Sequence, residues 1–274
     1  MARLGLALLL GLLGGVALLA VVQGHSAQVI DLTRLLAGPG SEGWLGADEL
    51  GRDVLARAAA GLWLSMRVSL AVGLGTALVG IPLGLLAGWR GGGLDAALVR
   101  LADVVLSFPG LLLALALTAL LGPSALNVVI ALCLLGWVGF FRLTRVQVMA
   151  LRGKPYMQAA VLMGVRLPVL LVRHLLPNVA GPLVVEAVVV LAGALVAEAG
   201  LSFLGLGVPP PVASLGGMIR EGIRYVVVAP HLVVVPSLML FCLVVGLNVL
   251  AEGLRREGWR GTSAIDAGGE DTRL

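Results

Sequence analysis

KPYMQAAVLMGVRLPVLLVRHLLPN, Lys154–Asn178, decides how the rest of this chain is read. It is a polar, basic insert between long apolar runs, and its residues favour helix. Pro155 suits a first helical turn, where a missing N–H costs nothing. Tyr156 to Met163 sustain the helix, Ala159 and Ala160 keep part of it small, and Gly164 supplies the residue on which helices commonly end. Pro168 starts a second helical stretch and Pro177 closes the connection. The pattern predicts a short helix lying across the end of a helical bundle. From the residues alone it is either a handle seated in a groove of another protein or a surface connection without a partner.

The runs on either side set the solvent. Hydrophobic residues make up 59% of the chain and charged residues 12%, against about a quarter charged in ordinary soluble domains. Mean hydropathy is +1.05. One aqueous core cannot hide this much apolar surface, so the chain is expected in a bilayer. A span needs roughly 20 apolar residues, and the runs that qualify are Leu4–Val22, Ser65–Gly88, Leu98–Leu121, Ser124–Phe141, Val179–Leu201 and Pro230–Leu250. The expected fold is an all-α membrane protein of about six transmembrane helices, with the insert between spans four and five. Residues 1–64 read as an N-terminal anchor plus an outer segment, 65–254 as the core, and 255–274 as a disordered tail. The first run is longer than a signal-peptide core and is read as a retained span, with Gly24-His25-Ser26 a weak cleavage-like site.

Charge gives an orientation. Arg3, Arg90, Arg100, the Arg142–Arg173 stretch and Arg255, Arg256 and Arg260 fall on one side if both termini are cytoplasmic. The first loop on the other side mixes Asp31, Glu42, Asp48, Glu49 and Asp53 with Arg34, Arg52 and Arg57. These acids read as solvated or paired with Arg52 and Arg57. The pI of 9.8 comes without a basic stripe interleaved with aromatics, so nucleic acid is not an expected partner. Gly80, Gly84 and Gly88 form a smooth face for helix packing, within the chain or against a second subunit; Gly11 and Gly15 repeat the pattern. Pro82 lies in the same span. Ser202–Ala229, with Pro209-Pro210-Pro211 and a short amphipathic helix over Gly216–Tyr225, is either a lid or an inert packed loop.

Chemistry of its own is hard to find. His25, His174 and His231 are scattered, and HExxH and GxSxG are absent, so no catalytic or metal site is expected. Cys133 and Cys242 sit in apolar runs as small hydrophobes. A phosphate-binding loop needs GxxxxGK[ST]; here the only lysine, Lys154, is followed by proline and Val148 stands where the first glycine belongs. Ionisable groups within spans are functional candidates. Glu186 and Glu198 are two, with Asn248 a third polar group, each on a translocation path or at a helix contact. Asp103, three residues from Arg100, can pair with it.

Several motifs carry a resemblance. Gln158-Ala159-Ala160, Gly164 and Leu176-Pro177 are similar to the EAA loop of ABC-importer inner-membrane permeases. RHLLPN (Arg173–Asn178), LGADELGRDVLAR (Leu45–Arg57), RLADVVLSFP (Arg100–Pro109) and EAGLSFLGLGVPPP (Glu198–Pro211) resemble the dipeptide, oligopeptide and nickel branch, and best its C-type permease. The resemblance covers nearly the whole chain in order. It implies a non-catalytic subunit forming half of a pore for peptides or nickel and metal chelates, in a bacterial inner membrane. It implies as partners a second, related permease, two ATP-binding-cassette ATPase subunits that hold ATP and Mg, an extracytoplasmic solute-binding protein, and membrane lipid. Tyr156, Gln158, Ala159, Ala160 and Gly164, with Arg173 and Pro177, would then form the ATPase-coupling element around the 155–166 helix. Gln158 departs from the family's usual glutamate. The competing reading is a self-contained secondary transporter or channel, whose signature would be an inverted repeat with broken helices.

Overall fold

The structure, a computed structural model, describes residues 2–23, 27–40 and 43–267. The expected Gly24-His25-Ser26 and Glu42 features and residues 268–274 lie outside them. Among the described residues the chain is helical, and its single β-bridge joins Ala47 to Asp53. The helices are α1 (Ala2–Gln23), α2 (Val54–Arg90), α3 (Gly92–Ser107), α4 (Gly110–Leu121), α5 (Ala125–Arg152), α6 (Pro155–Leu162), α7 (Leu167–Val169), α8 (Leu176–Phe203), α9 (Leu215–Gly222) and α10 (His231–Ala267). A π-helical stretch, Leu170–Leu175, joins α7 to α8.

Among the described residues, four units are long and apolar enough to cross a membrane: α2, α5, the continuous Leu167–Phe203 rod, and His231–Arg256 of α10. The third expected span is not one rod. It breaks between α3 and α4 with an 83° bend, because the ring of Pro109 forces Phe108 out of the helical region (φ −94°, ψ 139°). In α1, the apolar stretch Ala2–Leu18 is shorter than the others. The six-span expectation therefore resolves into four unbroken crossings, one bent pair and α1.

Boundaries also move. α5 runs on to Arg152, so Arg142, Arg145 and Arg152 belong to a helix rather than to a loop. Pro177 does not close the connection; it sits in the first turn of α8, where proline is tolerated. α10 continues to Ala267, so the tail expected to be disordered from Arg255 is helical that far.

Close packing centres on α2. Gly80, Gly84 and Gly88 lie against the α5 backbone near Trp137, Phe141 and Arg145, where any Cβ would collide. That glycine face is therefore internal to the subunit. Gly5 meets Gly246 and Leu250 in the same way, laying α1 along α10, while Gly11 and Gly15 have open space around them. One apolar cluster joins α1, the start of α2, α8, α9 and α10, with Leu55, Leu62, Leu195, Leu215 and Leu243 buried. Another joins the far end of α2 to α5, α6 and the π-helical stretch. Hence α6 and α9 sit at opposite ends of α2, whose 37 residues span about 55 Å at 1.5 Å per residue.

Candidate functional site

At the α6 end, two residues three apart do the seating. Met157 (0% exposed) and Ala160 are buried among Leu85, Val148, Leu170, Leu171 and Leu175. Helical spacing then turns Tyr156, Gln158, Ala159, Val161 and Leu162 outward. Leu162 is 87% exposed and Met163, at the C-cap, 76%. Gly164 ends the helix at φ +75° with open space around it, as expected. Gln158 reaches back at 3.4 Å to the carbonyl of Gly153. Arg173 and Pro177 are exposed near this end. Ala160 differs from the expected arrangement: it faces its own bundle and supports the surface without being part of it. The sequence reading missed Met157 as the anchor and Leu162 and Met163 as the most prominent apolar groups. Their spacing relative to Ala160 was the available signal.

Charge pairs brace this end. Arg145 of α5 holds both oxygens of Asp95 on α3, with Nη2–Oδ2 at 2.6 Å. Arg142 holds Asp103 at 2.6 Å, so Asp103 pairs across to α5 and not with Arg100 as expected. Arg152 donates to the carbonyl of Trp89 at 3.0 Å.

The other end is held by an inner circle of charge. Arg52 Nε lies 2.7 Å from Asp48, and Arg57 Nη1 lies 2.9 Å from the same carboxylate. Glu221 of α9 accepts from Arg57 at 2.7 Å and lies 3.5 Å from Arg52. Asp53 caps α2 by accepting from the amide of Ala56 at 2.8 Å. Of the expected pairings, Asp48 meets both arginines and Glu49 meets Arg52 at 3.4 Å, and the cluster is buried: Arg57 is 3% exposed. Burial, reinforced by Glu49 and Asp48 and opposed by Arg52 and Arg220, pushes the Glu221 carboxyl above its ordinary value. Nothing in the sequence pointed to a contact 164 residues apart between Arg57 and Glu221. Met218 of the amphipathic α9 is buried, as its pattern suggested, whereas Ile223 is exposed.

The three candidates for a translocation path have separate surroundings. Glu198 is fully buried and accepts hydrogen bonds from Ser65 (2.7 Å) and Ser202 (2.8 Å), clamping α8 to α2. Glu186 is half-buried and occupies the space left by Gly139 of α5. Asn248 is exposed and bonds back to the Val244 carbonyl at 2.8 Å. Cys133 and Cys242 are unpaired and half-buried.

The family described as "Binding-protein-dependent transport system inner membrane component" matches residues 80–256. The chain belongs to this family. It is a peptide-type ABC-importer inner-membrane permease, a multi-pass subunit of the inner membrane. Among its relatives is the glutathione transport system permease protein GsiD of Pectobacterium atrosepticum, 40% identical, covering 82% of this chain and 75% of the relative. The dipeptide transport system permease protein DppC of Alkalihalophilus pseudofirmus is 36% identical, covering 80% and 72%. The oligopeptide transport system permease protein OppC of Bacillus subtilis is 34% identical, covering 79% and 71%. These relatives are named as permeases and not as enzymes. In fold, the chain resembles an inward-facing structure of the MetNI methionine ABC transporter (TM-score 0.59, 17% identity, 74% of this chain and 95% of that one). Membership in the family implies an ATPase, a binding protein and a second permease as working companions.

Proposed function

We propose that this permease forms half of the pore of an ATP-driven importer for peptide-like solutes and is driven through α6. One of the two ATPase subunits would grip the exposed face of α6, Tyr156, Gln158, Ala159, Val161, Leu162 and Met163, as the pair closes on ATP. The seat beneath, Met157 and Ala160, would carry that motion into α2 and α5, rocking the bundle between two packings as a rigid body. Gly164, Arg173 and Pro177 would fix where the moving piece begins and ends. A second, related permease would complete the pore. In this arrangement the α6 end, together with Arg3, Arg90, Arg255 and Arg256, faces the cytoplasm, in keeping with the positive-inside bias. The α9 end then meets the solute-binding protein.

The observation that carries this reading is the exposure of Leu162 and Met163 on a helix anchored from below by a fully buried methionine. Large apolar groups left outward at one end of a membrane bundle mark an interaction site. The solute class follows the names of the relatives, which are glutathione, dipeptide and oligopeptide permeases; nickel has no support among them. The test is Leu162→Asp in the assembled complex. The side chain is almost free, so insertion and pairing with the second permease should persist. Peptide uptake and solute-stimulated ATP hydrolysis should fall at least tenfold, the scale of a lost interface anchor of about 2 kcal/mol. Unchanged uptake would remove α6 from the drive.

A further inference from the structure

The α9 end holds a cavity of about 270 Å³ that the coupling mechanism does not use. It lies below the range of about 300–1,000 Å³ seen for drug-sized ligands, and suits a one- or two-residue end of a larger molecule. Its apolar wall includes Pro123 and Pro209, and its polar lining is dominated by Arg57, Arg220 and Arg224. Glu221, the one acidic residue on the wall, is already engaged by Arg57 at 2.7 Å and Arg52 at 3.5 Å. Among the described residues, neither Arg220 nor Arg224 has a carboxylate within ion-pair reach, although the charge of Arg220 is felt by the adjacent Glu221.

The arginines are placed, not trailing. The Arg220 guanidinium lies against the backbone of Gly205, whose φ of +85° and missing side chain make the room; a Cβ there would collide with it. Arg224 follows one turn later, so the two are neighbours. Arg57, buried at the back, is held by Asp48 at 2.9 Å and Glu221 at 2.7 Å and adds positive charge to the wall. Planar forked donors in a partly enclosed site match a carboxylate, which can accept two parallel N–H bonds.

We propose that this cavity is a carboxylate site that takes the C-terminal carboxylate of a peptide-class solute at the α9 mouth of the permease. This rests on the peptide reading of the transported solute. Arg220 and Arg224 supply the charge and the donors, and Pro123 and Pro209 the walls around the last residue.

The test uses the assembled complex in nanodiscs without binding protein. Trialanine and trialanine amide, which differ only in the terminal carboxylate, are compared by saturation-transfer NMR. Wild type should give at least threefold stronger transfer to trialanine. R220Q/R224Q should remove that preference, and Arg224→Glu should reverse it; both side chains are exposed, so the fold should hold. Arg255→Gln, at the other end, should leave it intact. Equal transfer to both peptides in wild type, or a preference that survives in R220Q/R224Q, overturns the proposal. So does a separate pull-down with the binding protein in which R220Q/R224Q weakens capture while the carboxylate preference is unchanged, since an acidic side chain of that protein would then be the occupant. Uptake of the same peptides separates this from the function proposed above. Carboxylate-selective binding with no peptide uptake defeats the transport reading alone. Uptake without carboxylate-selective binding defeats the cavity alone.

Discussion

The two ends of α2 each hold an eight-residue helix, and they hold it by different physics. α6 is seated chiefly by apolar contacts, through Met157 and Ala160, and leaves further apolar groups facing out. α9 is seated by Leu215 and Met218 and then locked by Glu221 to Arg57 and Arg52. Apolar contact is non-directional and scales with area, so α6 keeps its grip on the bundle while a second surface pulls on it. Ion pairs in a buried setting demand one geometry, so α9 and the Leu45–Arg57 segment form a fixed frame. One end is built to be handled, the other to stay in register.

Removing one partner of the lock should have the largest effect. Arg57→Gln leaves Asp48 buried without one of its cations, a change of about 3–5 kcal/mol for a broken buried pair. Hydrogen exchange should show α9 deprotected while α6 is unchanged; equal deprotection of both ends would erase the contrast. Met157→Ala comes next. Loss of a fully buried methionine costs about 2–5 kcal/mol, here spent locally. Exchange should quicken in α6 with α9 intact, and the coupling of ATP hydrolysis to uptake should weaken. Gly164→Ala is smaller. The site has room, but φ is +75°, and an alanine in the left-handed region costs about 1–2 kcal/mol, read as a lower melting temperature with uptake reduced only in part.

The smallest effect is a pH dependence confined to α9. Glu221 faces Asp48, Glu49, Arg52, Arg57 and Arg220, and its folded-state pKa is raised, chiefly by burial. Between the ordinary glutamate value and the raised one, the folded protein holds a proton that the unfolded chain has released. Its contribution is therefore full below the ordinary value and lost as pH rises through the raised one. Protection of α9, corrected for intrinsic exchange, should decline modestly as pH rises above the ordinary glutamate value. Glu221→Gln should flatten the decline, and α6 should show none.

Much of this was legible in the chain. The apolar runs located the four unbroken crossings and the bent pair, the EAA-like segment located α6, and Gly164 marked its end, because hydropathy and helix-capping chemistry are local. The α3–α4 break was also written locally, in Phe108-Pro109, but a run of apolar residues masked it. What the sequence hid was long-range. Glu221 meets Arg57 across 164 positions, Asp103 chose Arg142 over the nearby Arg100, and Ala160 turned inward because Met157 fixed the helix's rotation. Glu186 lies beside Gly139, and Glu198 accepts from Ser65 and Ser202; residue type and position alone state no such partner.

Site-specific cross-linking in the assembled complex tests the contrast most directly. With Cys133 and Cys242 replaced by alanine, Leu162→Cys at the α6 end and Ile223→Cys at the α9 end are each given a short maleimide cross-linker. The account predicts that position 162 captures an ATPase subunit and position 223 does not. Capture of the ATPase from position 223, with none from 162, would contradict it.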